Sequence, residues 1–85
     1  MEEYTLTVKS PLGMHARPAG RLVKLSKAFH STIQLTRGDK TVDVKHILAV
    51  MGMGVKQGDT ISFTVSGEDE HEAMEQIKEI CAEIL

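Results

Sequence analysis

The chain has no tryptophan, one tyrosine and two phenylalanines, so only 4% of its 85 residues are aromatic. Any core must be built mainly from aliphatic side chains. There is no aromatic platform on which bases could stack, and the net charge of −2 opposes a polyanion, so nucleic-acid binding is not expected. A single cysteine, Cys81, excludes an intrachain disulfide and a thiolate metal cluster. No apolar run approaches the roughly 18–20 residues needed to cross a bilayer. No signal-type segment precedes the first strand pattern. A reducing, cytoplasmic setting without membrane insertion is expected. His30 and His71 lack a second histidine at i, i+4, and no Ser-His-Asp or phosphate-loop pattern occurs. No metal and no cofactor are therefore expected.

What is present reads as one small domain over residues 1–85. Hydrophobic residues make up 41% of the chain, enough for one aliphatic core. Residues 4–9 alternate as a half-buried strand, with Tyr4, Leu6 and Val8 on one face. Ser10-Pro11-Leu12-Gly13 reads as a loop. From Ala16 the apolar spacing becomes helical, with Ala19, Leu22, Val23, Leu25, Ser26 and Phe29 on one side. Residues 31–37 and 40–44 read as a hairpin about Gly38-Asp39. Residues 46–53 form a short apolar helix, ended by Gly52-Met53-Gly54. Gln57-Gly58-Asp59 is a turn, and residues 60–66 alternate again around Ile61, Phe63 and Val65. Residues 69–85 form a last helix with Ala73, Met74, Ile77, Ile80, Cys81 and Ile84 on its buried stripe. The order β-α-β-β-α-β-α predicts an α+β fold. It is an open-faced β-sandwich: a four-stranded antiparallel sheet with the helices on one face.

The most informative stretch is Gly13-Met14-His15-Ala16-Arg17-Pro18-Ala19. It puts a histidine where a loop becomes a helix, so His15 sits near the N-cap. Pro18 costs little there, because first-turn N–H groups have no intrahelical partner. Those free amides and the positive end of the helix dipole favour an anion, by about 0.3–2 kcal/mol for the dipole. A phosphate on His15 would meet the backbone of Ala16 and Arg17, and the Arg17 guanidinium would add charge-assisted hydrogen bonds. A neutral imidazole nitrogen is nucleophilic near pH 7. The local chemistry fits a transient phosphoryl carrier. It fits a capping surface histidine about equally well.

The whole chain resembles the histidine-containing phosphocarrier family, HPr, of the bacterial phosphotransferase system. Residues 13–19 resemble the family's phosphorylation-site signature. Lys40-Thr41-Val42-Asp43-Val44-Lys45 with Ile47-Leu48-Ala49-Val50-Met51 resembles its second signature. Gly67-Glu68-Asp69-Glu70 with the helix behind it resembles its C-terminal part. The resemblance implies that enzyme I, charged by phosphoenolpyruvate, phosphorylates His15 at Nδ1, and that the group then passes to the A domain of a sugar permease. It implies that Arg17 assists both transfers, that the protein is a carrier rather than an enzyme, and that no metal is held. Positions matching Gly20, Lys24, Lys27, Ile47, Leu48, Met51 and Gly54 would form the docking face. One departure stands out. Many relatives carry a regulatory serine where this chain has His46, and imidazole is no substrate for a serine kinase.

Charge is unevenly distributed. Residues 1–66 carry nine Lys/Arg and five Asp/Glu, a net +4, whereas residues 67–85 carry one Lys and seven Asp/Glu, a net −6. Arg17, Arg21, Lys24 and Lys27 oppose the apolar stripe of the first helix and would steer the chain toward acidic partners. One face serving both donor and acceptor predicts a transient interface, on the order of 1,200 Å² or less, on a monomer. Two alternatives to sugar uptake stay open. One is a nitrogen-linked regulatory branch; the other is a regulatory binding module that uses the same face without phosphotransfer.

Overall fold

The computed structural model describes all residues from Met1 to Leu85. The elements are β1 (Glu2–Thr7), α1 (Ala16–Ala28), β2 (Thr32–Arg37), β3 (Lys40–Asp43), α2 (Ile47–Gly52), β4 (Thr60–Ser66) and α3 (Glu70–Ile84). The order is the one expected, and most bounds move by a single residue. The first strand is the exception. It begins at Glu2 and ends at Thr7, not at Lys9, because Val8 leaves the ladder to bond the turn before β4.

The four strands form one sheet in the order β1-β4-β2-β3, antiparallel throughout. Register follows the period-2 pattern. Tyr4 faces Phe63 and Leu6 faces Ile61 across the first pair; Ile33 faces Val65 and Leu35 faces Phe63 across the next. These side chains lie on the face covered by the helices, where Phe63, Leu35 and Val65 are fully buried. The opposite face is open and hydroxyl-lined, with Thr5 bonding Ser62 at 2.8 Å and Thr36 bonding Thr41 at 2.9 Å.

Helix α1 buries Pro18, Ala19, Leu22, Val23, Leu25 and Ser26, and α3 buries Ala73, Met74, Ile77, Ile80 and Cys81. Burial pushes the Cys81 thiol up to about 12, which fits a small core residue and not a reactive one. The two helices run antiparallel, as their end contacts show. Arg21, in the N-terminal half of α1, pairs with Glu83 at the end of α3. At the other end Asp69, just before α3, accepts from the His30 and Ser31 N–H groups at 2.8 and 2.9 Å and from the Ser31 hydroxyl. Gly67 lets these loops close: its φ is +151°, and a Cβ there would stand 2.7 Å from Ser31 Cα.

Candidate functional site

The loop between β1 and α1 is aimed by glycine. Gly13 has φ +61°, and a Cβ there would lie 2.5 Å from the Val55 carbonyl oxygen and 2.9 Å from Lys56 Cα. Only glycine lets the loop lie flat on that backbone. The Met14 N–H then donates to the Val55 carbonyl at 3.0 Å, and the Met14 side chain is buried. With Gly13 and Met14 fixed, His15 emerges in extended backbone as the N-cap of α1.

The His15 ring folds back over the helix end. Its Nδ1 accepts from the Arg17 N–H at 3.5 Å, a long bond at the limit of geometry. A nitrogen that accepts carries a lone pair, so the neutral ring holds its proton on Nε2. Further down the turn, Pro18 has no N–H and the Ala19 N–H is already bonded to the His15 carbonyl at 3.1 Å. The Ala16 amide thus has no backbone partner and the Arg17 amide holds only the long bond to Nδ1, so both are donors that an anion at this helix end could recruit.

Arg17 is exposed, and its guanidinium enters no ion pair. Glu83 is an acid within electrostatic reach of Arg17. Its carboxyl is held below the usual range by the Arg21 guanidinium first, with a smaller contribution from Arg17. Arg21, not Arg17, makes the ion pair with that carboxylate. Arg21 is thus paired and half-buried, whereas the other three cations on this face of α1 are exposed and enter no ion pair. Lys24 and Lys27 do remain exposed, and Lys24 also borders a groove between α1 and α3.

An open cleft of about 900 Å³ begins at His15 and Arg17 and runs along Leu6, Leu12, Cys81 and Leu85. Helix α2 lies against α1 and β3. It exposes Ile47, Leu48 and Met51, with Leu48 83% accessible, as a helix this short must. Gly54 follows in left-handed backbone, and Gly20 sits on α1 with open space where a Cβ would go. His46 caps α2 without a side-chain hydrogen bond and is exposed. Leu12, 72% exposed and bordering the cleft, escaped the sequence reading. Its signal was an unpaired apolar residue inside a loop, which periodicity does not score.

The sequence profile of the PTS HPr component phosphorylation site matches residues 2–83. The chain belongs to the HPr family. The phosphocarrier protein HPr of Lysinibacillus sphaericus is 40% identical over 84 residues, covering 99% of this chain and 96% of that protein. The histidine-containing phosphocarrier protein of Mycoplasma has the same fold, with a TM-score of 0.93 and 30% identity over 96% of this chain and 93% of its own. The catabolite-repression protein Crh of Bacillus subtilis, solved as a swapped dimer, matches with a TM-score of 0.76 and 31% identity over 100% and 99% of the two chains. Membership of the HPr family makes the chain a phosphocarrier of the phosphotransferase system and not a catalyst. No helix is long and apolar enough to cross a membrane.

Proposed function

We propose that residues 1–85 act as one domain that accepts a phosphoryl group on His15 Nδ1 from phosphoenolpyruvate-charged enzyme I. The acceptor of that group is the A domain of a sugar permease. What supports this reading most directly is the His15 Nδ1 lone pair held by the Arg17 N–H at the start of α1, where the Ala16 N–H has no backbone partner. In the forward step that lone pair attacks phosphorus. A P–N bond forms, the bond from phosphorus to the donor's leaving group breaks, and the ring keeps its Nε2 proton. The Arg17 N–H, released from Nδ1, turns to a phosphoryl oxygen, joined by Ala16 N–H and the Arg17 guanidinium. These contacts are individually modest, so the group is stabilised without being trapped. The reverse geometry serves delivery.

Gly20, Lys24, Lys27, Ile47, Leu48, Met51 and Gly54 form the docking face in this reading, with the chain acting as a cytoplasmic monomer. His46 leaves no hydroxyl for a serine kinase, so the serine-linked regulatory input is absent. Incubation with the serine kinase of a Gram-positive relative and ATP gives no acid-stable phosphate; a stoichiometric product would overturn this point.

Intact mass after incubation with enzyme I and phosphoenolpyruvate tests the main proposal. Wild type gains one acid-labile phosphate, His15→Ala gains none and keeps its fold, and Arg17→Ala gains it about tenfold more slowly. Labelling of His15→Ala would remove the site assignment. No gain in wild type with a cognate enzyme I would favour a binding module acting through the exposed face of α2.

A further inference from the structure

The loop that carries His15 is seated on residues 53–59. At its start, Val8 N–H donates to the Asp59 carbonyl at 2.9 Å, and the Val8 carbonyl accepts from Gly58 N–H at 2.8 Å. The Gln57 amide then donates to the Lys9 carbonyl at 3.0 Å. At its end, Met14 N–H donates to the Val55 carbonyl, one residue before His15. Where residues 53–59 lie, His15 must follow.

That seat belongs to no helix or strand, so no ladder holds it. Arg37, the last residue of β2, holds it at both ends. Its Nη1 donates to the Met53 carbonyl at 2.9 Å, and its Nε lies 3.0 Å from Asp59 Oδ2. The Asp59 carboxylate also accepts from Lys56 N–H at 2.8 Å, closing the turn on itself. Asp59 is held below the usual carboxylate range by that backbone bond first and by Arg37 beside it. Met53 is also the C-cap of α2, where Gly54 N–H donates to the Met51 carbonyl. One guanidinium thus reaches both the end of α2 and the seat of the His15 loop. A planar fork with donors in fixed directions does this, whereas a lysine ammonium is a single point charge.

We propose that Arg37 is a positioning residue that sets His15 relative to the docking helix α2 by clamping residues 53–59. It touches neither His15 nor any transferred group. The inference rests on the carrier role given to His15 and the docking role given to α2. It concerns what holds the two in register. Loss of the clamp leaves the nucleophile at the start of α1 and Ile47, Leu48 and Met51 on α2. What changes is their mutual placement, which governs the rate within the complex more than affinity for it.

The test uses Arg37→Met and Arg37→Lys in the full chain, with two readouts. The first is amide hydrogen exchange. In Arg37→Met the Met14 and Gly54 amides exchange about tenfold faster, while the Phe63 and Val65 amides in β4 shift only with global stability. Arg37→Lys, which keeps the charge opposite Asp59 but loses the fork, falls between. The second is phosphoryl acceptance from charged enzyme I: the saturating rate of Arg37→Met falls about three- to tenfold, and KM moves less than about twofold. Met14 exchange that is unchanged, or that rises only in step with β4, overturns the clamp. Faster Met14 exchange with an unchanged saturating rate overturns its role in transfer. If wild type accepts no phosphoryl group at all, the carrier reading fails, and the exchange readout still decides the clamp.

Discussion

At the residue scale, backbone freedom matters at Gly13 and is wasted at Gly20. Gly13 combines positive φ with a Cβ position that overlaps Val55 and Lys56 backbone. Gly13→Ala is expected to lose about 1–3 kcal/mol in urea denaturation, and to disturb the His15 loop first. Gly20 lies inside α1 with nothing near its absent Cβ. Gly20→Ala is expected to gain roughly 0.8–1 kcal/mol, the ordinary helix propensity difference. If a partner approaches α1 closely there, the same variant shows a raised KM in phosphoryl transfer despite its higher stability. A Gly13→Ala protein as stable as wild type would show that the loop is not seated as described. The N-cap position of His15 was legible in sequence because the loop glycine, the proline and the arginine around it are neighbours. The roles of Val55 and Asp59 were not, since they act on Met14, Val8 and Arg37, all more than twenty positions earlier.

At the element scale, Asp69 ties the two helices together at the end far from His15. It precedes α3 but spends its carboxylate on His30 and Ser31 instead of capping its own helix. Its carboxyl is held below the usual range, mainly by the Ser31 hydroxyl and then by the His30 N–H. The sign follows from linkage. A carboxyl with a lowered native value stabilises the fold above the ordinary value of about 3.9, and that stability is lost as pH falls through the lowered one. Wild type therefore loses urea resistance in the acid range, below about pH 4. Asp69→Asn starts lower at pH 7 and falls less steeply, because it has no such component to lose. Parallel pH profiles for the two proteins would contradict this account. The sequence placed Asp69 only at a helix start; that it serves a distant loop is a tertiary fact.

At the scale of the whole molecule, α1 carries most of the exposed cations of its layer and α3 most of the acids. The acidic start of α3, with Glu68, Asp69, Glu70 and Glu72, lies at the end away from His15, together with the loop after α1. The exposed cations Arg17, Lys24 and Lys27 lie on α1, which begins at His15. The basic patch on α1 steers the molecule toward an acidic partner before contact. Raising ionic strength from about 0.01 M to 0.15 M shortens the screening length from about 30 Å to 8 Å. The second-order rate of phosphoryl transfer from enzyme I is expected to fall about tenfold over that range, with Lys27→Gln showing a shallower dependence. A rate independent of salt would remove steering from the mechanism.

The sequence by itself determined the order and type of every element, the aliphatic core and the capping position of His15. Each depends on local spacing: period 2 in the strands, period 3.6 in the helices, glycine and proline where φ is special. Tertiary structure alone decided the strand order, the early end of β1 at Thr7 and the pairing of Arg21 with Glu83. It also decided the seat that Arg37 and residues 53–59 make for the His15 loop. Those contacts join residues far apart in the chain, and no periodicity records which distant donor will meet which acceptor once the core has closed.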